Sequence, residues 1–256
     1  MILPPGTILQ LMYLKERLRD LPPGRFAEIG VGHGHLSACL LAMGWRGTGF
    51  ELDPDSSRAA IERNSDAVAS GRYQVRNVDW LETDPDAPVD LLVSCMVLEH
   101  FDDAGEALYL EQCRQWLSAR GLGILLVPGS PEDWGIEDDI AGHYRRYSRE
   151  SLETRLTSLG WRVQHIAGLT FPLSNVLLPV SNLLVRRAEA TRQAWSMADR
   201  TLASGKRTVA GKTSFPDWVG LVLNEVVMYP LHQVQKLFRG AKRALVLYTE
   251  FVPENR

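Results

Sequence analysis

Five short apolar runs, separated by turns and helix-length segments, occupy the first half of the chain. They are Arg25–Val31, Gly47–Leu52, Tyr73–Val78, Val89–Cys95 and Gly121–Val127. Segments with helical spacing lie between them: His35–Met43, closed by Gly44; a stretch from Asp53 to about Ser70; and Ala104–Leu117. Strands alternating with helices bury both faces of a parallel sheet, so each strand reads as a nearly unbroken apolar run. Val89–Cys95, with Asp90 as its single charge, has that character. The pattern predicts an α/β chain with a doubly wound, mostly parallel sheet. A helix over residues 6–20 should precede the first strand and end at Pro22-Pro23-Gly24. A helix opened by Ser148 and two late strands, Trp161–Leu169 and Leu245–Val252, should follow and bring the sheet to seven strands. If the late strands pair, residues 1–169 and 244–256 form the core. Residues 170–243 are then a helical insertion before the last strand.

Composition narrows the function. The 256 residues contain three scattered cysteines and no CxxC pair, which argues against a disulfide framework or a zinc site and for a reducing compartment. The N-terminus lacks the basic and apolar regions of a signal peptide. The long uncharged stretch Ile166–Val185 carries prolines, serines and asparagines and reads as a cap segment, not a membrane span. A cytoplasmic location is expected. The net charge of −3 hides an asymmetry: residues 1–169 hold 16 basic and 25 acidic residues, whereas 170–243 hold 11 and 4. The basic insertion leaves open an anionic or lipid-like acceptor and peripheral membrane contact. Without the aromatic–basic interleaving of nucleic-acid modules, no nucleic-acid partner is expected. The oligomeric state is left open.

Where the first strand meets its helix, the sequence reads Glu28-Ile29-Gly30-Val31-Gly32-His33-Gly34. Alternating glycines permit a tight turn and close backbone approach to a ligand. His35 stands where a dinucleotide fingerprint requires glycine, and no Gly-Lys-Ser/Thr follows, so neither that fingerprint nor a P-loop is present. Glu51 ends the second strand, where a carboxylate can accept both hydroxyls of a ribose. Asp53 reads as the cap of the next helix.

An acid followed by G-x-G-x-G at this place resembles the first motif of the class I S-adenosylmethionine-dependent methyltransferases, which have a Rossmann-like fold. The resemblance covers residues 24–169. It implies S-adenosylmethionine as cofactor, with Gly30, Gly32 and Gly34 against its methionine part and Glu28 holding the amino group. It also implies Glu51 on the ribose, Leu52 along the adenine, and Asp79 and Trp80 at the adenine amine and face. Cys95 would sit beside the sulfonium. The run Val89 to Phe101, with its Leu98-Glu99-His100, resembles the fourth motif of the small-molecule branch. In the ubiquinone-type members E-x-x-E-H there holds a divalent metal. Here Met96 replaces the first acid, so no metal is expected, and His100 is a candidate active-site residue.

Gly142-His143-Tyr144-Arg145-Arg146-Tyr147-Ser148 resembles a loop that faces the acceptor in this branch. It makes His143 the candidate base, since an imidazole suits proton removal near neutrality. Tyr144 and Tyr147 are candidate acceptor walls, and Arg145 and Arg146 candidate partners of an anionic acceptor. The expected activity is methylation of a small molecule, most readily at oxygen. A lipid-linked acceptor at a membrane face and a non-catalytic cofactor-binding partner protein are the alternatives.

Overall fold

The computed structural model describes residues 2–189 and 215–254. Seven strands form one sheet: β1 (Arg25–Ile29), β2 (Arg46–Phe50), β3 (Tyr73–Arg76), β4 (Val89–Cys95), β5 (Leu117–Pro128), β6 (Trp161–Leu169) and β7 (Val246–Pro253). Their order is β3-β2-β1-β4-β5-β7-β6. The first five are parallel, and β7 runs antiparallel to both β5 and β6. The late strands therefore pair as expected, with the last inserted between the fifth and the sixth.

Alternate residues of the central strands feed opposite faces of the sheet. Leu92, Leu125 and Val127 join a core with α5 (Asp103–Trp116) and α7 (Arg149–Ser158). Leu91, Val93, Ile124 and Leu126 join another with α1 (Pro5–Leu18) and α2 (His35–Ala42). The Ser148 hydroxyl accepts the Ser151 N–H and the Ser151 hydroxyl the Ser148 N–H, which fixes the start of α7. The helix expected from Asp53 to about Ser70 is two helices, α3 (Pro54–Arg63) and α4 (Ser65–Ala69). Asn64 breaks it: its side-chain amide donates to the Gly34 and Ala60 carbonyls, the kind of local bond that competes with helix continuation.

After the short α6 (Ile136–Ala141), the insertion supplies α8 (Leu173–Glu189) and α9 (Glu225–Leu237). Its residues 190–214 lie outside the described residues. The N-terminal helix, counted with the core from its sequence, also packs on the insertion. Ile8, Leu9 and Met12 meet Met228 of α9 in a third apolar cluster, and Lys236 and His232 both bind Glu16. No helix among the described residues is long and apolar enough to cross a membrane.

Candidate active site

The strand order reverses between β1 and β4. In such sheets ligands bind in the crevice beyond the carboxyl ends of the strands at that point. A cavity of about 1160 Å³ opens there. It exceeds the ~300–1,000 Å³ of an ordinary ligand pocket, leaving room for a cofactor and an acceptor together. Its floor is made by Gly30, Gly32, Glu51, Asp79, Cys95 and Met96, one side by His100, His143 and Tyr144, and its roof by α8.

At the cofactor end, the Glu51 carboxylate accepts the Gly32 N–H at 2.7 Å and the Asp53 N–H at 3.0 Å. It thus ties the glycine loop to the end of β2. A Cβ built on Gly32 would meet nothing within 4 Å, so this loop leaves a cradle next to a carboxylate. That is the shape and chemistry a ribosyl ligand needs. Leu52 lies half exposed on the cavity wall. Asp79 also lines it, while its carboxylate caps the following turn through the Leu81 N–H. Trp80 shows one edge to the cavity and is otherwise core, packed on Tyr109 and Trp116.

Four residues singled out in the sequence stand off the cavity wall. Glu28 points into the core, bound to the Ser37 hydroxyl, which in turn pairs with Tyr73 at 2.7 Å. Burial pushes its carboxyl up to about 8, so near neutrality it is an uncharged hydrogen-bond partner. Gly34 faces α3, not the cavity: a Cβ there would lie 2.7 Å from Asn64 Nδ2 and 3.0 Å from Ala60. Tyr147 is buried, with its hydroxyl on Glu106 at 3.1 Å. Arg145 turns outward to Asp103 and Glu106. Gly34, Tyr147 and Arg145 are claimed by partners 26 or more residues away, and Glu28 by Ser37 on the next helix, which the motif by itself does not reveal.

On the histidine side, His143 Nδ1 lies 2.8 Å from Asp138 Oδ1. Burial alone would raise the Asp138 carboxyl, but hydrogen bonds from His143 and Arg146 hold it down at about 2. An ionised carboxylate can only accept, so Nδ1–H is the donor of this bond, and Nε2 lies 3.8 Å from Glu99 Oε1. Arg146 lines the cavity, yet its Nε is on Asp138 and its Nη1 on the Gly129 carbonyl. It braces the dyad. The sequence reading gave Asp138 no role, because nothing local distinguishes it from its neighbour Asp139.

His100 packs edge-on to His143, with centroids 4.8 Å apart. Burial and the neighbouring His143 push its pKa down to about 3, so it is neutral. Glu99 is fully buried, which raises its carboxyl to about 7. Glu99, His100 and His143 each offer a ligand atom, all within 4.8 Å of one another. Both Glu99 oxygens and His100 Nδ1 lack a hydrogen-bond partner among the described residues. The donor set fits a divalent cation, with Asp138 behind His143 as metal-bound histidines require. Met96 removes a ligand in sequence, and the fold brings His143 to the same corner from 43 residues further on.

The sequence reading also missed the walls made by distant elements. Thr7 and Gln10 of α1 and Ser174, Leu178 and Leu184 of α8 line the cavity, and Gln10 Oε1 lies 3.6 Å from Cys95 Sγ.

The sheet order, the glycine cradle with its facing carboxylate and the large crevice at the switch point define a Rossmann-like methyltransferase fold. A family model described as a methyltransferase domain matches residues 8–166. The chain belongs to this methyltransferase-domain family. The trans-aconitate 2-methyltransferase of Streptomyces coelicolor (strain ATCC BAA-471 / A3(2) / M145) is 29% identical over 212 residues, 80% of this chain and 62% of that protein. The chain thus spans less than two thirds of that relative's length. The glycopeptide N-methyltransferase MtfA superposes with a TM-score of 0.55 at 14% identity, over 96% of this chain and 90% of that one. The N-methyltransferase NodS of Bradyrhizobium japonicum WM9, solved with S-adenosyl-L-homocysteine, gives 0.52 at 18% identity, over 64% and 77%. At these identities the likenesses speak for the fold.

Proposed function

We propose that the protein methylates a hydroxyl of a small molecule with a large apolar body, with His143 as the base. The observation that carries this reading is the His143–Asp138 contact of 2.8 Å at the cavity wall. It supplies an imidazole oriented by a carboxylate, which an amine acceptor needs less than a hydroxyl does. S-adenosylmethionine, when bound, supplies an activated methyl group. The protein aligns the acceptor with it and keeps water out. Glu51 and the Gly30–Gly32 turn hold the donor. His143 takes the acceptor proton, and Asp138, braced by Arg146, stabilises the imidazolium that forms. The apolar body follows from the lining. Among the described cavity residues the single arginine or lysine is Arg146, and its guanidinium is engaged by Asp138. Among the described residues a polycarboxylate such as trans-aconitate would meet no cation on the wall beyond this engaged arginine.

A second reading rests on the partnerless Glu99 oxygens and His100 Nδ1. A divalent cation held by Glu99, His100 and His143 would polarise the acceptor hydroxyl in place of a base. One experiment addresses both readings. The protein is incubated with methyl-labelled donor and an organic extract, and the labelled product is identified. The proposal expects an oxygen-bound methyl group. It also expects His143→Ala to lower labelling by roughly 10²–10⁴-fold with cofactor affinity unchanged. A nitrogen- or carbon-bound label overturns it. Loss of labelling on chelation, restored by a divalent metal, selects the second reading.

A further inference from the structure

The roof of the cavity carries an apolar surface that the methyltransferase reaction does not use. On α8, Val176, Val180 and Leu183 follow each other at steps of four and three, so they share one helical face. All three are exposed. Arg187, also exposed, continues that face one turn on, next to Arg186. The turn Asp217–Leu221 and the start of α9 present Trp218, Leu221 and Val226, which are 69%, 78% and 84% exposed. Scattered single apolar residues are normal on a protein surface, whereas contiguous ones rimmed by polar groups mark an interaction site. These two stretches flank one opening. Val180 and Val222 are exposed and also line the cavity, and Leu184 and Val219 line it from the same two elements.

We infer that this rim docks on an anionic lipid bilayer, so that the cavity mouth faces the membrane and admits an amphiphilic acceptor from it. The acceptor part of this inference rests on the methyltransferase reading of the cavity; the docking does not. Three observations select a bilayer as the occupant. The apolar stripe of α8 ends in adjacent exposed arginines, the pattern of a helix lying in a headgroup region. The described parts of the insertion, 170–189 and 215–243, hold six basic and three acidic residues against an otherwise acidic body, a balance that favours negative charge as the partner. An exposed tryptophan stands at the edge, where an indole is favoured at a membrane–water boundary. No helix among the described residues could cross the bilayer, so the contact is peripheral.

The test is flotation of the full chain with phosphatidylcholine vesicles with and without about one third phosphatidylglycerol, alongside calorimetric titration of S-adenosyl-L-homocysteine. Wild type should float with the anionic vesicles alone. The triple variant Trp218→Glu, Leu221→Glu, Val226→Glu avoids every cavity-lining residue. It should lose roughly tenfold or more of the partitioning with cofactor affinity kept. Arg186→Glu with Arg187→Glu should lose roughly tenfold, and covers the possibility that the triple variant does not fold. Absence of wild-type flotation overturns the inference, as does undiminished binding of the folded triple variant or of the arginine variant. A wild-type dimer that ignores vesicles and is dissociated by the triple variant assigns the rim to a second copy and overturns it too. Cofactor titration reports separately on the methyltransferase reading, so failure of one is not failure of the other.

Discussion

Gly32 and Gly34 are two residues apart, and both have left-handed backbone, with φ of +53° and +76°. In sequence they are interchangeable members of one motif, but their surroundings differ. Alanine at either position carries the left-handed penalty of about 1–2 kcal/mol. At Gly32 that is all, because the new methyl group would enter open space. At Gly34 the methyl would press on Asn64 and the Ala60 backbone at 2.7 and 3.0 Å, adding an overpacking cost of about 1–3 kcal/mol. Gly34→Ala should therefore cost about 2–5 kcal/mol of stability and Gly32→Ala about 1–2 kcal/mol. In a chain of this size these are melting shifts of roughly 4–20 °C and 2–8 °C. Binding should rank the other way. The Gly32 methyl stands in the cradle beside Glu51, so affinity for S-adenosyl-L-homocysteine should fall roughly tenfold to a hundredfold, or about 1.4–2.8 kcal/mol. Gly34→Ala, once folded, should bind within about threefold of wild type. Urea unfolding of the ligand-free protein and calorimetric titration measure the two quantities. Equal affinities for the two variants, or weaker binding by Gly34→Ala, would refute the assignment of these glycines.

The Glu51 carboxylate supports the loop and faces the cavity, so Glu51→Ala should weaken cofactor binding by about 1.5–3 kcal/mol, the scale of charged hydrogen bonds. Unchanged calorimetric affinity would remove it from the ribose position. Asp138→Ala should lower methyl transfer with cofactor affinity kept, because it leaves His143 Nδ1–H and Arg146 Nε–H without the oxygen they share; wild-type turnover in that variant would remove Asp138 as the group that orients His143. Arg17 binds Glu250 through two bonds of 2.7 Å. Burial raises the Glu250 carboxyl, but Arg17 and Tyr248 outweigh it and hold the pKa below its ordinary value. That stability is present above the unfolded carboxylate's pKa and is lost as pH falls through the lower folded one. Glu250→Gln should accordingly be less stable than wild type near neutrality, with the gap closing in acid; a gap independent of pH would refute the pairing.

The architecture was legible because it rests on local signals. Apolar runs of strand length, helical spacing and the glycine and serine caps are written in contiguous residues, and each pointed to the same alternating fold. The strand character of β6 and β7 was also legible, while their pairing across the insertion stood as a condition that the sheet meets. The helix break at Asn64 was hidden, since it depends on an amide reaching back to Gly34, 30 residues earlier. The site divides along the same line. Gly32, Glu51, Leu52 and His143 reach the cavity from the ends of strands or from the loop that sequence placed beside it. Sequence by itself determined the alternation, the cradle and the loop bearing the imidazole, because turn chemistry and periodicity act over a few residues. Tertiary structure decided that Glu28 and Tyr147 are buried, that Gly34 packs a helix, and that Asp138 orients His143. It also decided that α1 and α8 wall the cavity and that Glu99, His100 and His143 share a corner. Those outcomes depend on which side of an element faces which distant neighbour, and only the packed core sets that.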